Sequence, residues 1–299
     1  MSTSAPARSP KTVQPAIVGV GDLKVHELCG GKGGPVVFIH GIGSSGYIEW
    51  RFNLEAAAAT HRIFAPDLPG FGRSDKPSAT HYGIPYFSEF IDRYMDSHGL
   101  SSAAVVATSM GGRIALELVL NHPARVSKLV LVNSLGLGRP SVRMSYGLIT
   151  IPRVGEMLMR GARSALNRVP ASMIRRVAGR YIGATRDLNV TMDDEYLGHL
   201  KEMYAAEGFG AAYLATLRSI VNPKALWGGE YDITSRLSDI KVPVQLIWGA
   251  DDPLFPVAHA TRAQGLIRDC RLAVIEGAGH TPQAERPEEF NRVLHAFLS

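Results

Sequence analysis

Val105-Val-Ala-Thr-Ser109-Met-Gly-Gly-Arg-Ile-Ala-Leu116 reads as a buried strand that turns directly into a helix, with a serine at the turn. A turn this sharp forces the serine backbone into a strained conformation and lifts its hydroxyl clear of the sheet edge. Only small residues fit two positions to either side, and here they are Ala107 and Gly111, giving AxSxG in place of the commoner GxSxG. The plainer reading is a serine N-cap on an ordinary helix. Gly111-Gly112 argues against it, since two glycines in a first turn weaken a helix unless something must pack closely there.

Working outward, β-branched runs at 35–40, 62–67, 103–109, 128–134, 242–249 and 271–276 alternate with helical patterns at 84–98, 111–121, 257–267 and 287–297. Runs of four to six apolar residues bounded by Gly, Pro or Asp suit strands covered on both faces, as a parallel sheet requires. With right-handed crossovers the alternation predicts a doubly wound α/β sheet. An antiparallel hairpin about Gly21-Asp22 opens it. The alternation stops after Ser134 and resumes at Val242, and the stretch between has helical periodicity broken at Pro140, Pro152, Pro170 and Pro223. The expected organisation is a disordered leader over 1–14, a core made of 15–134 and 243–299, and a helical cap over 135–242.

The apolar fraction of 45% and charged fraction of 20% are those of a globular protein, and no apolar run is long enough to cross a bilayer. The Ser/Pro/Ala-rich N-terminus lacks the apolar centre of a secretory signal. Cys29 and Cys270 belong to no metal-binding pattern and fit a reducing compartment, so the expected location is cytoplasmic, without stable membrane insertion. The net charge of +5 is uneven. Residues 136–190 hold ten arginines, no lysine, and only Glu156 and Asp187 as acids, whereas 191–232 sum to −4. Such a segment suits anionic lipid, an anionic substrate or simply a solvated helix face. Nucleic acid is disfavoured because no aromatic residue stands between Tyr146 and Tyr181 to stack on bases.

A nucleophilic serine needs a base, and the base needs an orienting acid. His280, in Glu276-Gly-Ala-Gly-His280, follows the last predicted strand on a glycine-rich loop. Asp251 and Asp252 follow the strand before it. The loop His40-Gly-Ile-Gly-Ser-Ser45 follows an earlier strand, and backbone N–H groups in such a loop can face a developing oxyanion. Ile42 and Met110 are the natural donors. The loop matches neither GxGxxG nor GxxxxGK[ST], which weakens a phosphate-binding reading.

With these residues in place, the chain resembles the α/β-hydrolase superfamily over nearly its whole length beyond the leader, in its capped, carboxylesterase-like serine branch. The motifs that carry the likeness are HGIGSS from His40, DLPGFGRSDKP from Asp67, SMGG from Ser109, NHPARVSKLVLVNS from Asn121, WGADDPLFP from Trp248 and GAGHTPQAERPEEF from Gly277. The resemblance implies a doubly wound, mostly parallel sheet with a helical cap after the sixth strand. It selects Asp252 over Asp251, places the histidine at His280 and makes Ile42 the second oxyanion donor. Ser109, where dehalogenase and epoxide-hydrolase relatives carry aspartate, implies acyl chemistry. Thr108 and the run Thr281-Pro-Gln-Ala-Glu depart from the Asn and Trp usual in hydrolases of aromatic ring-cleavage products. The expected activity is therefore hydrolysis of small to medium carboxylic esters through an acyl-enzyme, with no cofactor or metal, by a monomer or homodimer. C–C hydrolysis of ring-cleavage products, lactone hydrolysis and perhydrolysis are alternatives on the same three residues. A ligand receptor with little turnover is the alternative of another class. Candidate substrate contacts are His40, Gly41, Tyr47 and Trp50 near the oxyanion loop, and Met144, Leu148 and Met157 in the cap.

Overall fold

The computed structural model describes residues 12–78, 80–139, 144–166, 168–183, 187–221 and 232–299. Eight strands form one sheet in the order β1-β2-β4-β3-β5-β6-β7-β8. β1 (Val13–Val20) and β2 (Leu23–Gly30) make the expected hairpin, with Gly21 in the left-handed conformation at φ 57°. β2 runs antiparallel to β4 (Arg62–Pro66), and from there every pairing is parallel, through β3 (Pro35–Ile39), β5 (Ala103–Thr108), β6 (Val126–Val132), β7 (Val244–Gly249) and β8 (Cys270–Ile275). All residues of β5 and β7 are buried, which is why these strands read as continuous apolar runs without alternation.

Helices cover both faces. On one side α3 (Ile84–Ser97) and α4 (Met110–Asn121) bury Phe87, Phe90, Ile91, Ile114 and Leu118, joined by Ala260 and Ala263 from α11 (Val257–Leu266). On the other, α2 (Leu54–Ala58) and the C-terminal α12 (Pro287–Leu298) bury Leu54, Ala57, Phe290, Leu294 and Phe297. Fully burying one of these leucine, isoleucine or phenylalanine side chains is worth about 1.5–3 kcal/mol. Between β6 and β7 the described chain is helical, from α5 (Met144–Thr150) through α6 (Val154–Ala165), α7 (Ala171–Ile182), α8 (Leu188–Thr191) and α9 (Asp194–Ala205) to α10 (Phe209–Ile220). No helix among the described residues is long and apolar enough to cross a membrane.

One boundary moves. β1 begins at Val13, inside the expected leader, because the N–H groups of Thr12 and Val13 each donate to the Glu55 carboxylate at 3.2 Å. The rest of the expected leader, 1–11, lies outside the described residues. Because β3 and β5–β8 are parallel, the segments that follow them gather at one edge of the sheet, bringing the loop from His40, Ser109, Asn133, Asp252 and His280 together.

Candidate active site

Ser109 joins β5 to α4 at φ 52° and ψ −119°. Such a backbone costs about 1–3 kcal/mol in a residue with a side chain and persists only where its surroundings impose it. They do so here: the Ser109 N–H donates to Val132 O at 3.0 Å, and its carbonyl accepts from Gly112 at 3.1 Å and Leu135 at 3.0 Å. Ser109 holds the N-cap position of α4, yet its hydroxyl makes no capping hydrogen bond, which disposes of the plainer reading. The glycines are required by contact. A methyl on Gly111 would lie 2.5 Å from Ile39 O, and one on Gly112 would lie 2.2 Å from Ser134 Oγ. Ala107, between Ile39 and Leu131 in the sheet, is wholly buried, so its extra methyl is accommodated.

His280 is buried, and its Nδ1 lies 2.9 Å from Asp252 Oδ2. Asp252 is buried and Asp251 exposed, which distinguishes the adjacent carboxylates. The Asp252 carboxylate accepts from His280 and from Asn133 Nδ2 at 2.6 Å on Oδ2, and from the N–H groups of Leu254 at 2.8 Å and Phe255 at 3.2 Å on Oδ1. With its lone pairs so engaged, the acid is fixed in place. Burial works against a charged imidazole, but the Asp252 charge and hydrogen bond, aided by Glu49 and Glu285, outweigh it and hold the His280 pKa above the ordinary imidazole range. Glu285 also shapes the loop, accepting from the N–H groups of Gly279 at 3.1 Å and Thr281 at 3.2 Å.

Asn133 was not anticipated from the sequence. It is completely buried with φ 40°, donates Nδ2 to Gly279 O at 3.0 Å as well as to Asp252, and accepts from the Gly249 N–H at 2.9 Å. One amide thus ties the end of β6 to the ends of β7 and β8. The available signal was an asparagine at a strand terminus, a residue tolerant of positive φ, on the edge where the other candidates converge.

The loop after β3 faces Ser109. A methyl on Gly41 would stand 3.3 Å from Ser109 Cβ and 3.8 Å from its Oγ. Met110 opens α4, so its N–H is among those a helix leaves without an intrahelical partner. Glu49 is a second residue the sequence did not flag. Its Oε2 accepts from Gly41 N–H at 3.3 Å and its Oε1 from Gln283 Nε2 at 2.7 Å, linking the loop after β3 to the helix after His280.

Ser109, His280, Gly41, Ile42 and Met110 line one cavity of 330 Å³. Its walls are mainly apolar and aromatic, with Leu135, Leu254 and Phe255 from the core and Met192, Tyr196, Leu200, Tyr204, Tyr213 and Leu217 from the inserted helices. Other expected substrate contacts lie elsewhere. His40 is fully buried, its Nδ1 2.7 Å from Gly41 O and its Nε2 accepting from Leu68 N–H at 2.9 Å; burial keeps its pKa low, so it braces the loop as a neutral ring. Trp50 packs in the core against Phe38. Tyr47 lines a neighbouring cavity of 320 Å³, its ring centroid 4.0 Å from that of His199. Both follow the loop after β3 closely in sequence, but α1 (Gly46–Trp50) turns them away. Leu148 and Met157 are exposed, and the side chain of Met144 lies outside the described residues.

An imidazole held by a buried carboxylate, a hydroxyl on a strained turn and a backbone-lined recess suit proton transfer coupled to nucleophilic attack. Among the described residues no cluster of His, Cys, Asp or Glu is disposed to hold a metal ion. A sequence model of the family described as alpha/beta hydrolase fold matches residues 34–287. A 2-hydroxy-6-oxononadienedioate/2-hydroxy-6-oxononatrienedioate hydrolase of Burkholderia vietnamiensis is 29% identical over 282 residues, covering 93% of this chain and 91% of its own. The meta-cleavage product hydrolase of Pseudomonas fluorescens IP01, solved as an S103A mutant with acetates, superimposes with a TM-score of 0.75 at 25% identity over 96% of this chain and 98% of its own. Est816, described as an N-acyl homoserine lactone degrading enzyme, gives a TM-score of 0.71 at 27% identity over 94% of this chain and all of its own.

Proposed function

Because the chain belongs to the α/β-hydrolase fold family, we propose that it is a serine hydrolase of carboxylic esters with an apolar acyl group, using Ser109, His280 and Asp252. The observation that carries this reading is the strained Ser109 with an uncapped hydroxyl, sharing a cavity with a histidine anchored by a buried carboxylate. His280 takes the Ser109 proton at Nε2 as Oγ attacks the ester carbonyl. The N–H groups of Ile42 and Met110 stabilise the oxyanion, and Asp252 stabilises the imidazolium. Collapse expels the alcohol, protonated by His280, and leaves an acyl-serine. Water, deprotonated by the same imidazole, then releases the acid and restores the hydroxyl. The inserted helices act as a cap whose aromatic and aliphatic side chains select the acyl group.

Hydrolysis of a C–C bond in a ring-cleavage product is the second reading, supported by the names of the relatives. Those substrates carry carboxylates. Glu49 places a negative charge beside the nucleophile, and Arg51, the one arginine lining the cavity among the described residues, directs its terminal nitrogens at the Ile48 and Thr191 carbonyls. That charge pattern favours a neutral ester. Turnover of p-nitrophenyl esters of increasing acyl length, an acyl homoserine lactone and a ring-cleavage dienoate, each with the Ser109→Ala control, tests it. Serine-dependent turnover of the neutral esters, exceeding that of the dienoate, is expected. Preference for the dienoate, or ester rates unchanged in Ser109→Ala, would overturn it.

A further inference from the structure

Nine large apolar side chains are exposed among the described residues, and seven of them lie between Leu148 and Val190, in the inserted segment. On α7, Met173, Arg176, Val177 and Arg180 fall at i, i+3, i+4 and i+7, one face of the helix, and all four are exposed. On α6, exposed Met157 and Leu158 stand beside exposed Arg160 and Arg163, while Gly155 and Met159 turn inward. Arg153, at the N-cap of α6, and Arg168, three residues past its last residue, are exposed as well. The acids of this segment are engaged locally. Glu156 pairs with Arg218 Nη1 at 2.8 Å and Nη2 at 3.1 Å, and Asp187 caps α8 through the Asn189 N–H at 2.9 Å. These outward faces therefore combine apolar side chains with a concentration of positive charge.

Such a face is ill suited to water alone, since exposed apolar residues gathered on one segment mark an interaction surface. Its composition names the partner. Methionine and valine between arginines match the boundary between headgroups and acyl chains, where apolar groups enter and guanidinium groups pair with phosphate. We propose that the outward faces of α6 and α7 bind the surface of a bilayer containing anionic phospholipid, without crossing it. α7 also contributes Ala178 to the wall of the Ser109 cavity, so a single helix separates the proposed lipid surface from that cavity. The arrangement suits capture of apolar esters dissolved in the membrane. That last step rests on the ester-hydrolase reading; lipid binding does not.

The test is co-sedimentation of the full chain with vesicles of phosphatidylcholine alone and of phosphatidylcholine with about 30% phosphatidylglycerol. Binding to the anionic vesicles at low ionic strength is expected, weakening as salt shortens the screening length. Each arginine near such a surface contributes about a fivefold factor in partitioning, so Arg160→Gln with Arg176→Gln should weaken it roughly 25-fold. Met173→Ser with Val177→Ser should also release the protein, while melting temperature and turnover of a short, water-soluble ester stay at wild-type values. No binding to anionic vesicles, equal binding to both vesicle types, or wild-type binding by both double variants would overturn the proposal. A concentration-dependent dimer abolished by the serine variants, without vesicle binding, would assign the surface to a protein contact instead. Vesicle binding by a chain that hydrolyses no ester would leave the lipid surface standing and remove the ester-hydrolase reading.

Discussion

Replacing Asn133 with glycine tests whether one buried amide holds the acid side of the site in register. The substitution deletes two donated hydrogen bonds and one accepted bond. It leaves the Gly249 N–H and Gly279 carbonyl buried without that partner, at about 1–3 kcal/mol each, and takes one hydrogen bond from the Asp252 carboxylate. The expected loss of stability is about 4–9 kcal/mol, a large share of the roughly 5–15 kcal/mol that holds a typical domain together. Glycine tolerates φ 40°, so no backbone strain is added, while its greater freedom in the unfolded chain adds about 0.5–1 kcal/mol to the loss. Asn133→Ala removes the same bonds and adds about 1–2 kcal/mol of left-handed backbone strain, so the difference between the variants reports that strain less the roughly 0.4–1 kcal/mol of unfolded-chain entropy that alanine spares. Chemical denaturation gives both energies, and turnover of a p-nitrophenyl ester in the folded fraction gives the effect on chemistry. A tenfold fall in kcat corresponds to about 1.4 kcal/mol of lost transition-state stabilisation, the scale of one hydrogen bond to a charged group. A glycine variant within about 1 kcal/mol of wild type, with unchanged kcat, would refute the reasoning.

Ser109→Gly should abolish turnover yet raise stability by about 1–3 kcal/mol, by relieving the strained φ; a variant less stable than wild type would show that the turn is not strained. Asp252→Asn should lower kcat by on the order of 10³–10⁴, whereas Asp251→Asn, at an exposed position, should leave it near wild type; steady-state kinetics of the pair decides which carboxylate serves His280. Because His280 must be neutral to accept a proton and its pKa is raised, kcat/KM should fall as pH drops, with the acidic limb above the ordinary imidazole range; a limb below that range contradicts the Asp252 contact. Glu49→Gln removes one of the charges that favour the imidazolium, so the same limb should move to lower pH, and no movement in the pH profile would confine Glu49 to bracing the loops.

The alternating strands and helices were legible because fully covered strands leave unbroken apolar runs, as in β5 and β7. Ser109, Asp252 and His280 were legible for a related reason: parallel strands end on one edge, so a reactive residue just after each run marks a shared place. Proximity along the chain was a poorer guide. Gly41 and Ile42 line the cavity, while Trp50 nearby is core, because a single turn of helix rotates neighbouring side chains to opposite sides. Apolar periodicity in the insertion marked a stripe at Leu148 and Met157 without saying whether anything covers it, and nothing in the described structure does. Asn133 was hidden because its value lies in three contacts to β7 and β8 segments more than a hundred residues away.

β6 and β7 are hydrogen-bonded neighbours, with Leu129 opposite Val244 and Val132 opposite Ile247. The inserted helices therefore leave at the end of β6 and rejoin at the start of the adjacent β7, on opposite edges of the parallel sheet, with Val132 three residues, or roughly 10 Å, past the level of Val244. Closing a loop between two points that the sheet holds fixed costs entropy that grows only with the logarithm of its length. The scaffold can consequently exchange this segment for one of different size or composition while the strand register beneath is kept. Where this segment selects the acyl group, as proposed above, selectivity and chemistry are separable traits of one chain, open to grafting one from another protein without rebuilding the other.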